Sequence, residues 1–141
     1  MADTFDAPVD GGKVLEQLLQ DSGVEYSRED ARFTFVFSSR GCKWKTVCVT
    51  GAGMACIYAV HPAEASDRAA ALALCSELNS TLIQGGFFLQ DGHLILRTGA
   101  DLFSGCDARE TLARALEYNA AAMSWFWTRI SAAADGCPPV I

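Results

Sequence analysis

Residues 85–98 read Gly85-Gly86-Phe87-Phe88-Leu89-Gln90-Asp91-Gly92-His93-Leu94-Ile95-Leu96-Arg97-Thr98. Two apolar runs flank an Asp-Gly pair, and both of those residues tolerate the positive φ of a tight type I′ turn. The stretch therefore predicts an antiparallel hairpin with strands over Phe87–Gln90 and His93–Thr98. The same period of two recurs upstream: Phe33, Phe35 and Phe37 alternate within Arg32–Ser38 and share one face, as a half-buried strand requires. Arg40-Gly41 turns the chain into Lys43–Thr50, and Gly51-Ala52-Gly53 connects that run to Met54–Val60. A further edge strand is accommodated over Val24–Arg28, with Glu29-Asp30-Ala31 as its turn.

Three segments around these strands have helical periodicity. Asp10 precedes the stripe Val14, Leu15, Leu18, Leu19 as an N-cap, and Gly23 ends it; Asp10, Glu16 and Asp21 fall off the stripe and are expected to face solvent. Ser66 is placed to cap a helix through Ser80 whose alanines, leucines and Cys75 surround most of its circumference. A helix with so little polar surface is normally covered on two sides, and its second side is a candidate subunit contact. Asp107 and Glu110 have the spacing of a capping box. From there Leu112, Leu116, Asn119, Met123, Phe126 and Ile130 form one continuous face, stopped by Gly136 and Pro138-Pro139. The order α-β-β-β-α-β-β-α, without strict βαβ alternation, indicates an α+β fold: a single antiparallel sheet with helices packed on it. Residues 1–9 read as a disordered leader, 10–135 as one domain and 136–141 as a short tail.

Composition limits the chemistry. The 141 residues are half hydrophobic with 20% charged residues, enough apolar material for one core. No apolar run approaches the roughly 18 residues that span a bilayer, and the acidic N-terminus has no signal-peptide core, so the expected location is the cytoplasm. The formal charge is −6. Residues 1–31 concentrate it, with eight acids (Asp3, Asp6, Asp10, Glu16, Asp21, Glu25, Glu29, Asp30) against Lys13 and Arg28. Those acids lack EF-hand spacing and read as a solvated face. Without clustered Lys and Arg, neither nucleic acid nor an anionic membrane is an expected partner. The six cysteines (42, 48, 56, 75, 106, 137) include no CxxC pair, and neither histidine stands at zinc-ligand spacing from them. They are expected to be free thiols, Cys48 and Cys56 in the core, with no metal or cofactor. Gly51-Ala52-Gly53 lacks the Lys-Ser/Thr of a phosphate-binding loop.

The words Glu77-Leu78-Asn79, then Gly86-Phe87-Phe88-Leu89, then Asp91-Gly92-His93-Leu94-Ile95-Leu96-Arg97 resemble the YbjN family of bacterial sensory transduction regulators. The family's pattern is a helix ending in Leu-Asn, a strand beginning Gly-x-Phe, and an Asp-Gly turn into an apolar strand. The resemblance spans residues from about 12 to 131 and implies a fold similar to type III secretion chaperones. It carries over no catalytic residue and implies a binding role.

The favoured expectation is accordingly a non-enzymatic interaction module, homodimeric, that binds another protein. Ile57 and Tyr58 lie on opposite faces of a strand that is apolar on both; Leu74 and Leu78 lie on the apolar second helix; Trp125 and Trp127 flank Phe126 on opposite sides. These six are the interface candidates. The alternative is a small-ligand site, or a cysteine/histidine enzyme, with a pocket near His61 or His93. Its weakness is that no carboxylate or amide is placed to orient either imidazole.

Overall fold

The computed structural model of the chain describes residues 7–105 and 107–135. Asp10 accepts from the backbone N–H groups of Gly12 and Lys13 at 3.0 and 3.3 Å, which starts α1 (Gly11–Asp21). Gly11 is required there: a Cβ would stand 2.5 Å from the Met54 carbonyl oxygen. Four strands follow, β1 (Tyr26–Glu29), β2 (Arg32–Ser39), β3 (Cys42–Gly51) and β4 (Met54–Val60). After α2 (Arg68–Asn79) come β5 (Gly86–Gln90), β6 (His93–Asp101), α3 (Ala108–Trp125) and α4 (Trp127–Asp135). The six strands form one sheet in the order β1-β2-β3-β4-β6-β5, every pair antiparallel. The architecture is α+β, with the Asp-Gly hairpin as expected: Asp91 has φ 52° and Gly92 φ 82°.

The helices pack on one face of this sheet. Phe33, Trp44, Cys48, Ile57, Leu94 and Leu96 point to that face and are buried. Leu15 and Leu19 of α1 and Leu112 and Leu116 of α3 close one half of the core. Ala71, Cys75 and Leu78 of α2, with Met123 and Ile130, close the other half. Tyr26 donates to the Glu16 carboxylate at 3.1 Å, and Arg28 pairs with Glu16 at 3.1 Å, so β1 is fastened to α1. Arg109 joins Asp21 across α1 and α3. That guanidinium, and then the Gln17 amide, hold the Asp21 carboxyl below its ordinary range. Glu16 and Asp21 are thus paired and not merely solvated.

Several expectations change. Ala7–Val9 are not a frayed leader: the Val9 N–H donates to the Leu102 carbonyl at 3.0 Å and its carbonyl accepts from Gly53 at 2.8 Å. Residues 1–6 and 136–141 lie outside the described residues. The cap of α2 is Asp67, not Ser66, accepting from Ala70 at 3.1 Å. The Asp107 half of the capping box forms at 3.1 Å, while the Glu110 carboxylate turns to Arg114 at 2.7 Å. The extra strand is present as β1, and the last helix is two. At Phe126 the backbone takes φ −97° and ψ 6°. The break lets Phe126 meet the Phe87 ring at 6.1 Å while Trp127 turns onto Trp44 at 5.6 Å. On an unbroken helix those neighbours would diverge by about 100°.

Candidate functional site

Side chains alternate across a strand, so the register that buries Ile57 against the helices sends its neighbours to the opposite face. Cys48 pairs with Ile57 and Ile57 with Thr98; Val47 pairs with Tyr58 and Tyr58 with Arg97. The first set is core. The second belongs to a face that carries Val36, Val47, Val49, Tyr58, Val60 and Ile95, with no helix over it among the described residues. Val36 is 53% exposed and Val49 37%, high values for β-branched side chains in a sheet. An open depression of about 390 Å³ lies here, lined among others by Arg32, Lys45, Val47, Tyr58, His93 and Ile95. The Phe88 ring stands edge-on to Tyr58 at 6.4 Å, and the Arg97 guanidinium lies over Tyr58 at 5.9 Å. Such a surface, with an apolar floor and charged side chains at its margins, has the composition of a binding patch.

The six interface candidates fall into different places. Tyr58 is on the open face. Ile57 and Leu78 are fully buried within the one chain, so neither presents a surface to a partner. Leu74 is half-buried against the α2 half of the core. Trp127 is half-buried, against Trp44 and the His61 ring at 4.7 Å; Trp125 is 81% exposed. The α2 helix buries one side only. Leu72, at 44% exposure, and the exposed Ala69 and Ala73 form its bare side, and Ile83 beyond its end is 94% exposed.

The histidines hold the frame. His61 is 2% exposed; its Nδ1 accepts from the Ala63 N–H at 3.2 Å, which leaves Nε2–H to donate to Ser131 Oγ at 3.1 Å. Burial under Trp127 withdraws the His61 imidazole from any open pocket of the kind the alternative reading places near it. His93 Nδ1 donates to the His61 carbonyl at 2.8 Å and fixes the imidazole at the edge of the depression. Cys48 is buried, and burial, then the nearby Cys56, pushes its thiol up to about 12. Burial also raises Cys75. A nucleophilic cysteine needs the opposite shift. Cys56 is not a core thiol as expected: it pairs with Val49 and Gly99 on the open face, where Arg97 approaches its sulfur at 3.8 Å. Cys42 is half-buried; Cys106 and Cys137 lie outside the described residues. Among the described residues no three His, Cys, Asp or Glu side chains converge as a metal site.

The residues of the family-like motif have a structural task that periodicity alone does not reveal. Asn79 Oδ1 accepts from the Phe87 N–H at 2.6 Å and its Nδ2 donates to the Phe87 carbonyl at 3.0 Å. One side chain thereby fills both outward-facing backbone sites of Phe87 on the edge strand β5, which protects that part of the edge from pairing. Gly85 enters β5 with φ 79°, and a Cβ there would stand 2.3 Å from the Arg97 carbonyl oxygen.

Comparison with known proteins agrees with this architecture. A family model, "YbjN: Putative bacterial sensory transduction regulator", matches residues 12–130. The crystal structure of YbjN, a putative transcription regulator from E. coli, aligns with a TM-score of 0.62 at 18% identity, covering 91% of this chain and 95% of that one. At that identity the likeness shows the fold. No curated protein matches the chain.

Proposed function

The chain belongs to the YbjN family, and from that premise we propose that it is a non-enzymatic regulatory module that binds another protein on the bare face of its sheet. The observation that carries this is the one-sided sheet: six strands are covered by helices on one face, while Val36 and Val49 stand exposed and Tyr58 half-exposed on the other. The raised Cys48 and Cys75 thiols and the buried His61 weigh against nucleophilic chemistry. The module is a homodimer through the bare side of α2, where Leu72 and Ile83 are exposed, and acts in the cytoplasm, consistent with free thiols at Cys42, Cys48, Cys56 and Cys75. This leaves the sheet face free for a client, in a chaperone-like or regulatory manner.

The test is Tyr58→Glu. Tyr58 is half-buried and touches Phe88 and Arg97, so the change costs about 1 kcal/mol; circular dichroism stays near wild type and the unfolding midpoint falls modestly. Recovery of the partner from the native host, read by mass spectrometry, is lost. Equal recovery by wild type and variant overturns the docking reading. The dimer is tested separately by sedimentation equilibrium with Leu72→Glu as control; a wild-type mass of 15.1 kDa at all concentrations removes it.

A further inference from the structure

We infer that the partner segment received by the bare sheet face is acidic and amphipathic, a stretch of Asp or Glu interleaved with apolar side chains. The inference rests on the docking reading above and adds the chemistry of the occupant. The chain as a whole is acidic, with 17 acids against 11 bases, yet strand alternation places Arg32, Lys43, Lys45 and Arg97 together on this face. The ion pairs among the described residues use Arg28, Arg109, Arg114 and Arg129, and the four cations of the open face enter none of them. Arg32 and Lys45 line the depression beside His93, with Val47 and Ile95 as its floor.

Three acids share the face, and their positions matter. Glu29 is on the edge strand opposite Arg32, Asp101 is at the end of β6 opposite Met54, and Asp91 is in the hairpin turn at the rim of the depression. Four cations thus face three acids on this surface, a positive excess in a chain that is acidic as a whole, and only Lys45 and Arg97 among them lie beside the apolar centre of Val47 and Tyr58. A carboxylate arriving at Arg32 or at Lys45 meets a cation that no ion pair of the described residues uses, and Arg32 can bind it bidentately. An apolar side chain next to it covers Val47 and Ile95.

Charge also selects against the other occupants. A second copy docked on this face by a twofold axis would lay one net-cationic patch on another, and that like charge opposes association. A nucleic acid would gain from the cations but would find an apolar floor that offers phosphates nothing.

The experiment uses the full chain and three synthetic peptides of about twelve residues, long enough as an extended, amphipathic strand to cross the roughly 18 Å of four strands. One alternates Glu/Asp with Leu/Phe; the second replaces each acid by Gln/Asn; the third carries Lys. Binding is read by fluorescence anisotropy and mapped by side-chain methyl shifts of Val47, Val49, Val60 and Ile95. The acidic peptide is expected to bind, to shift those methyls, and to lose about tenfold in affinity when ionic strength rises from about 0.05 to about 0.5 M. Arg32→Glu/Lys45→Glu is expected to reverse the preference toward the Lys peptide. Equal binding of the Gln/Asn peptide to the same methyls overturns the charge inference while the docking reading stands. No binding of the acidic peptide, tighter binding of an oligothymidylate probe, or concentration-dependent methyl shifts without any peptide, the mark of a second copy, overturns it as well. Failure of the docking reading has its own signature, an unaltered partner recovery by Tyr58→Glu.

Discussion

Replacing Asn79 by alanine removes the clamp that ties the end of α2 to the edge of the sheet. Two hydrogen bonds are lost, at 2.6 and 3.0 Å, both to the backbone of Phe87, a residue only 3% exposed. Each such bond contributes about 1 kcal/mol net, and leaving a largely desolvated backbone group without its partner costs more. Asn79 lies at the surface, so water partly replaces it, and the expected loss is about 2 kcal/mol. With a urea dependence of roughly 1–3 kcal/mol per molar for a domain of this size, the unfolding midpoint falls by about 1 M. Asn79→Asp discriminates the geometry further: it keeps the acceptor for the Phe87 N–H but sets a carboxylate against the Phe87 carbonyl, and it is expected to be destabilised too. Hydrogen exchange at the Phe87 amide should accelerate in both variants. A midpoint shift below about 0.2 M for Asn79→Ala, with unchanged exchange at Phe87, refutes the clamp.

Two other outcomes follow from single sites. Gly85→Ala is expected to cost at least about 2 kcal/mol, because φ 79° is combined with a Cβ position 2.3 Å from the Arg97 carbonyl oxygen; Gly23→Ala, at φ 69° with nothing within 4 Å, is expected to lose only about 1 kcal/mol. Urea midpoints compare them directly, and equal costs would contradict the close approach. Cys48 is expected to resist thiol reagents in the native protein at pH 8 while half-exposed Cys56 reacts, as peptide mapping would show. Because its thiol is raised from 9.0 to about 12, the neutral form contributes stability that is fully present below pH 9.0 and declines as pH rises toward 12, where the unfolded chain ionises first.

How much of this was legible beforehand follows from what each signal encodes. Asp91-Gly92 and Arg40-Gly41 announce their turns because few residues accept their φ, and Phe33-Phe35-Phe37 announce a buried face because alternation is a property of consecutive residues. Between Ile57 and Tyr58 the choice was open: both alternating sets of β4 are apolar, and only the register with β3 and β6 decides which faces the helices. The break at Phe126 has no Pro or Gly to mark it. It is a tertiary compromise that seats Phe126 on Phe87 and Trp127 on Trp44 and His61. Leu78 is an interface candidate because the helix is apolar nearly all round, yet α2 buries Ala71, Cys75 and Leu78 at i, i+4, i+7 and leaves Leu72 bare. The cationic cluster of the open face was invisible for a simpler reason. Arg32, Lys45 and Arg97 are far apart along the chain, and three antiparallel registers are needed to bring them onto one surface.

The central claim, that the bare sheet face and not the helical side holds the partner, is tested most directly by position-dependent photocrosslinking in the native host. A photoreactive phenylalanine analogue replaces Tyr58 in one variant and Leu72 in another, and adducts are identified by mass. A hetero-adduct is expected from position 58, suppressed by an excess of the acidic peptide, and from position 72 an adduct with a second copy of the chain. A hetero-adduct formed from position 72 but not from position 58 would contradict the central claim.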